Sequence, residues 1–294
     1  MKYQKSLGSY IFEILNVLFM LVMIFICVYP FYYVITCSLS NSNLLMGNRG
    51  LMLWPKGFSL AAYEKVLQNP NIYTGYKSTL VVVFGGTAIN IVCTAIGAFL
   101  VTRKKFFLAK PMMVMMVITM YFSGGMIPTY LLISQTLGLR DSLWALVLPG
   151  AISTYNLIIM KTQFLSIPAS LEESAKLDGA NDILVLIRII LPLSLSTIAV
   201  MVLFYGVANW NAWFNALLYI DTREKYPLQL VLREILLLNS TTDMMVGDKG
   251  DGRAAVAESI KYATIIVATV PILLVYPFIQ KYFVKGVMVG AVKG

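Results

Sequence analysis

No histidine occurs among the 294 residues, so histidine-based triads, metal sites and proton relays are excluded at once. The three cysteines, Cys27, Cys37 and Cys93, sit in or beside apolar runs. Their spacing fits neither a zinc site nor a disulfide framework, and they read as small hydrophobes. The polar residues that could do chemistry gather in two places. One is the stretch Lys161–Leu191, where Glu172, Glu173, Lys176, Asp178 and Asp182 stand among small residues. The other is the run Asn209, Trp210, Asn211, Trp213 and Asn215 inside an apolar segment, with Tyr121 and Ser123 beside the sequence Gly124-Gly125-Met126-Ile127-Pro128 in another. Amides bond hydroxyl groups, and aromatic rings stack on the apolar face of a sugar, so these residues suit the wall of a pathway for a polar solute. Asn211 and Asn215 are four apart and are expected on one helix face. The competing reading is interhelical hydrogen bonding with an interfacial aromatic belt, the commoner use of amides in such segments. The paired glycines and proline either unwind a helix where it lines a cavity or permit tight helix packing. No nucleophile–base pair and no metal cluster is legible, which argues against an enzyme. Asp248 and Asp251, in a glycine-rich stretch, do not match the twelve-residue calcium loop.

The elements that must position these residues are set by composition. Hydrophobic residues make up 59% and charged residues 13%, with a mean hydropathy of +0.77. That balance excludes an ordinary water-soluble enzyme and a disordered tail protein. Six apolar runs, roughly Ile14–Ser38, Leu80–Val101, Met112–Ser134, Leu143–Met160, Pro192–Ala216 and Tyr262–Phe283, approach or exceed the length of about 20 residues that a crossing helix needs. Each should be helical, because an open strand in lipid leaves its backbone polar groups unpaired. The net charge of +9 then reflects anionic lipid and topology rather than nucleic acid. Six spans put both termini on one side. Arg103, Lys104, Lys105 and Lys110 fill the short segment after the second span, with Lys2 and Lys5 ahead of the first, so that side is expected to be cytoplasmic. The first run is too long for a signal-peptide core and is retained as a span.

Outside then lie about 40 residues between spans one and two, the turn Gly138–Asp141 and a loop from Asp221 to Lys261. That loop starts amphipathically, with Leu228, Leu232 and Ile235 on one face. Inside lies one substantial loop, Lys161–Leu191. Ser170 with Glu173 predicts a capping box that opens a helix with Glu172 and Glu173 at its positive end. Gly179 suits the left-handed residue that closes it. Asn181 is expected to cap a second helix over residues 182–190, which breaks or kinks near Pro192. The expected product is a helix–turn–helix elbow, small and acidic on one side and apolar on the other.

Glu173-Ser174-Ala175, three residues, Gly179, nine residues, Ile189, one residue and Leu191-Pro192 resemble the EAA loop in permease subunits of ATP-binding cassette importers. Ser174 stands where the family has alanine. Leu53-Trp54-Pro55-Lys56-Gly57-Phe58-Ser59-Leu60 with Tyr63, Tyr226-Pro227-Leu228-Gln229-Leu230 and the tail Tyr282-Phe283-Val284-Lys285-Gly286 with Gly290-Ala291-Val292-Lys293-Gly294 resemble segments of the carbohydrate, maltose-type branch. Gly124-Gly125-Met126-Ile127-Pro128-Thr129-Tyr130 is similar to the sub-branch for complex oligosaccharides, alginate importers among them.

The resemblance implies an all-α membrane protein of six transmembrane helices, with a cytoplasmic coupling helix between spans four and five. It implies a single permease domain over 1–294, with a coupling loop 161–191, an outer loop 221–261 that contacts the binding protein and a cytoplasmic tail 284–294 that reaches the ATPase interface. In the bacterial cytoplasmic membrane the chain would pair with a second permease subunit, two ATPase subunits and an extracellular solute-binding protein. Glu172, Glu173, Lys176, Asp178 and Asp182 are then the polar docking candidates for the ATPase, and Ala175 and Gly179 allow close approach. The chain contains no Gly-x-x-x-x-Gly-Lys-Ser/Thr loop, so ATP and magnesium are expected on the ATPase subunits and no cofactor on this chain. The expected function is ATP-driven import of carbohydrate, an oligosaccharide by resemblance. The alternatives are the same machinery with an amino acid or polyol-phosphate as cargo, and an ATPase-independent channel or carrier. The scarcity of intramembrane acids and the large inner loop weigh against the last.

Overall fold

The computed structural model describes residues 7–46, 50–103, 105–237, 258–275 and 277. Lys2, Lys5, Lys104, the glycine-rich stretch around Asp248 and Asp251, and the tail 284–294 lie outside them. The described residues are predominantly helical, with a lone bridge between Ser40 and Phe58 in place of any strand. The chain divides into two compact units, Met1–Asn69 with Glu234–Thr269 and Pro70–Arg233 with Val270–Gly294.

In the first unit, helix α1 (Leu7–Ser38) runs 32 residues straight through Pro30. None of its most apolar stretch is buried, as expected of a helix that is hydrophobic all round and meets lipid or another chain. Its end is fastened by backbone bonds, Asn41 N to Lys56 O and Ser59 N to Leu39 O, both 2.9 Å. Helices α2 (Ser42–Met46) and α3 (Ala61–Gln68) flank this crossing. Cys37, Leu45 and Met52 form a small core with Tyr33 and Tyr262. Cys37 is there a buried apolar residue, as its setting in the sequence implied.

The second unit carries most of the remaining helices. Helix α4 (Pro70–Val81) passes through a π-turn at Val82–Gly86 into α5 (Thr87–Thr102) as one span of 33 residues. It therefore begins at Pro70 rather than at Leu80, because proline's fixed φ suits the first helical position. Three later pairs of helices are bent sharply at short breaks. Helix α6 (Ala109–Tyr121) meets α7 (Met126–Leu131, extended by a π-turn to Thr136) at 120°. Gly125 takes φ +88 at that joint, a conformation open to glycine at little cost. The segment Trp144–Gly150, helix α8 (Trp144–Val147) with its 3₁₀ turn, meets α9 (Thr154–Leu165) at 52°. Helices α11 (Asp182–Val185) and α12 (Leu191–Leu193), joined by a π-turn, meet α13 (Leu195–Trp210) at 84° across Ser194.

The bend near Pro192 was expected, and the 52° bend follows Pro149-Gly150. By length and composition there are three unbroken candidate spans, or up to six if each bent pair is one. The last, α16 (Glu258–Val275), covers residues 262–275 of the run expected at 262–283.

The principal core of this unit collects Phe99, Leu157, Met160, Phe164, Ile190 and Met201 from α5, α9, the elbow and α13. Gly97 brings two of these helices together: a β-carbon there would lie 3.0 Å from Leu157 Cδ1. Small residues permit such approach where helices associate without a hydrophobic drive.

Candidate coupling elbow and pathway residues

Helix α10 (Ala169–Leu177) and α11 form the elbow that the sequence predicts. Gly179 turns between them at φ +85, and Asn181 Oδ1 accepts the Leu184 amide at 2.8 Å as the cap of α11. The capping box, by contrast, does not form. Pro168, at φ −56 and ψ 128, occupies the N-cap without a side-chain bond, and its carbonyl accepts from Leu171 N at 3.2 Å. The helix thus starts two residues earlier, and Ser170 falls inside its first turn.

The acidic residues divide by use. Glu172 is turned onto the end of α5, where it makes a two-pronged ion pair with Arg103. Lys176 pairs with Asp182 at 2.8 Å across the turn, both side chains about half exposed. Glu173 and Asp178 are exposed and have no side-chain partner among the described residues. Ala175 packs with Ala180 against the principal core, so its small size serves the protein's own packing. Nothing lies within 4 Å of a β-carbon at Gly179, so that position is free on its outer side. The outward surface is more apolar than expected: Leu177 is 89% exposed and Ile183 68%, with Leu171 nearby in α10 also exposed. Exposed leucines and isoleucines grouped on an elbow held by its own ion pairs make a surface suited to burial against another protein.

The amide cluster behaves differently from its expected form. Helix α13 ends at Trp210, and Asn211 is its cap, with Nδ2 donating to Val207 O at 2.9 Å. Asn215 lies on the next helix, α14 (Trp213–Tyr219), so the two asparagines share no helix face. The cause is local, because an asparagine that bonds its carbonyl four residues back favours ending a helix. Trp213 lies under the Arg233 guanidinium, 5.3 Å from the ring centroid. Asn215, Tyr121 and Ser123 are exposed. Among the described residues no hydrogen bond or ring contact joins Tyr121 or Ser123 to this cluster.

Asn209 is buried and serves as interhelical glue. Its amide donates to Thr87 Oγ1 at 3.2 Å and Asn90 Oδ1 at 3.1 Å. Asn90 in turn donates to the carbonyls of Gly150 and Ala151, at 2.9 and 3.1 Å. Thr94 bonds Tyr205 Oη at 2.6 Å, and that oxygen accepts the Ser153 amide at 3.0 Å. A stripe on α5, Thr87, Asn90 and Thr94, thereby helps satisfy backbone freed at the break between α8 and α9, which hydrocarbon could not do. Its spacing of three and four within an apolar run was the overlooked signal.

Two hollows adjoin this network. One, of about 330 Å³, is almost wholly apolar and includes Phe84, Leu203, Trp210 and Ile272. The other is an open hollow of about 530 Å³ lined by Tyr155, Asn156, Leu203, Phe204 and Val207. Asn156 is buried with an amide that has no partner among the described residues, and Tyr155 is an exposed ring beside it. Neither was singled out from the sequence, because both sit at the start of a helix hidden inside one long apolar run.

A second polar knot lies at the Gly138–Asp141 turn. Asp141 takes φ +54, which a short polar side chain tolerates. Its carboxylate accepts from Asp221 N at 3.0 Å, from Thr222 N and Oγ1 at 2.8 and 2.6 Å, and from Lys225 Nζ at 2.6 Å. These donors, the Lys225 ammonium first, hold the carboxyl well below the usual carboxylate range. Arg140 pairs with Asp221 at 2.7 Å beside it. Helix α15 (Leu228–Leu237) follows. Its amphipathic face is real, with Leu228, Val231 and Ile235 buried and Leu232 at its margin.

A broken-helix membrane bundle with an outturned elbow is a transporter-like architecture. No family model matches the chain. The chain is 43% identical over 284 residues to the polygalacturonan/rhamnogalacturonan transport system permease protein YtcP of Bacillus subtilis, covering 97% of this chain and 99% of that one. It is 41% identical to Protein LplC of the same organism, over 97% and 95%. Its fold matches a crystal structure of a bacterial ABC transporter involved in the import of the acidic polysaccharide alginate, with a TM-score of 0.85, 27% identity and coverage of 95% and 99%. The chain belongs to the permease family of sugar ATP-binding cassette transporters.

Proposed function

We propose that this permease carries oligosaccharides of a uronate-rich polysaccharide inward across the bacterial cytoplasmic membrane, with both termini and the elbow on the cytoplasmic side. The observation that carries this reading is the end-to-end similarity to a polygalacturonan/rhamnogalacturonan permease, supported by the acidic cargo of the structural relative. A second permease supplies the other half of the pathway, a solute-binding protein delivers the sugar, and two ATPase subunits bind ATP and magnesium. The exposed face of Leu171, Leu177 and Ile183, with Glu173 and Asp178 at its edge, docks on an ATPase subunit. Closure of the ATPases moves the elbow and opens the pathway outward, and hydrolysis resets it. Tyr155 and Asn156 suit a place on the pathway wall, since the ring offers an apolar platform and the amide has an open bonding capacity.

Proteoliposomes with the complete importer test the cargo. Uptake of labelled trigalacturonate, unaffected by excess maltotriose, is the expected result. Competition by an amino acid or a polyol-phosphate would transfer the reading to that solute. Uptake without ATP by this chain alone would replace the importer with a carrier.

A further inference from the structure

Arg103 closes α5, and its guanidinium is fixed on three sides. Two nitrogens meet the two oxygens of Glu172, with Nη2 to Oε1 at 3.0 Å. Nε and Nη2 also reach Thr102 Oγ1 at 3.3 and 3.2 Å. The plane lies over the Phe99 ring, 4.0 Å from carbon to centroid, and Phe99 is part of the principal core. The two side chains are only 19% and 17% exposed. A surface ion pair free to rotate contributes little, but a planar fork held bidentately and stacked on a ring has one orientation. The elbow also meets that core through the buried Val185, Leu186 and Ile190, with Ala175 and Ala180 packed against it. Apolar packing of this kind is non-directional and leaves the elbow free to slide or turn. The ion pair fixes its orientation as well.

We propose that Arg103 and Glu172 form a latch that makes the elbow and the end of α5 move as one body, with Arg103 a positioning residue for transport. The latch rests on the reading of the elbow as the ATPase dock. It also removes Glu172 from the docking surface and leaves Glu173 exposed there.

Spin labels at Lys105→Cys and at the exposed Ser170→Cys in α10, with Cys27, Cys37 and Cys93 replaced by serine, report the distance between α5's end and the elbow in the full complex. In the unmodified latch that distance stays the same between nucleotide-free and ATP–vanadate-trapped complexes. In Arg103→Ala its distribution broadens about twofold or more, because one partner of a shielded pair is lost. Arg103→Lys keeps a charge without the fork and broadens it by less. The charge swap of Arg103→Glu with Glu172→Arg narrows it again, a recovery that loss of packing alone would not give. A distance that changes on trapping, or an Arg103→Ala distribution as narrow as the parent's, overturns the latch. Should Arg103→Ala fail to insert, Arg103→Lys and Glu172→Gln carry the same comparison. Co-purification of the ATPase with a Leu177→Asp variant tests the dock separately. An ATPase retained there removes the dock, whatever the distances show.

Discussion

Asp141 shows how much a single residue carries here. It accepts the left-handed backbone of a tight turn and binds four donors from Asp221, Thr222 and Lys225, which welds two distant parts of the chain. Because its folded carboxyl is held below the usual range, its contribution is present above the unfolded value of about 4 and is lost as pH falls through the lower folded value. Asp141→Asn keeps the left-handed tolerance and removes the charge. Thermal unfolding in detergent at neutral pH should show a loss of about 1 kcal/mol after allowance for partial exposure, or about 2–4 °C. The gap between variant and parent should then narrow steadily below about pH 4. A gap independent of pH would mean that the charge is not what the knot uses.

At the scale of elements, the elbow depends on one backbone geometry and not on the space around it. Gly179 sits at φ +85 with nothing near its missing side chain. Gly179→Val should therefore cost about 1–2 kcal/mol of backbone strain in the turn, whereas Gly179→Asn, which visits the left-handed region more readily, should cost less. The expected outcome is strongly reduced uptake for the valine variant and retained uptake for the asparagine variant at equal membrane levels. Equal uptake by both would show that the turn tolerates another path. The same logic governs the bent helix pairs. Where α8 gives way to α9, Asn90 takes up the carbonyls that the break releases, so the polar stripe on α5 and the break after α8 are one device seen from two helices.

For the whole molecule, the outward face of the elbow and the long bare helix α1 have opposite chemical surroundings to satisfy. Helix α1 is apolar on every side, as lipid or a partner span requires. The elbow mixes exposed leucine and isoleucine with charge, as a protein partner in water requires. In a cysteine-free background, Leu177→Cys should react with a membrane-impermeant maleimide in inside-out vesicles and not in intact cells. Binding of the ATPase subunits should protect it. Labelling from the outside would invert the topology and with it the coupling scheme.

The sequence by itself determined the helical membrane class, the elbow's turn at Gly179, its second cap at Asn181 and the family. Hydropathy, caps and left-handed glycines are local, and a fixed motif needs no partner to be legible. It misjudged the first cap, where Pro168 set the helix start, and the shared face of Asn211 and Asn215, where a hydrogen bond within one helix turn ended α13. The tertiary structure alone decided which polar groups face each other. That Glu172 meets Arg103, that Asn209 reaches Asn90 and that Asp141 gathers the 221–225 segment depend on residues 69 to 119 positions apart. Side-chain chemistry states what each group can bond, but only the packing of helices brings a particular donor within 3 Å of a particular acceptor.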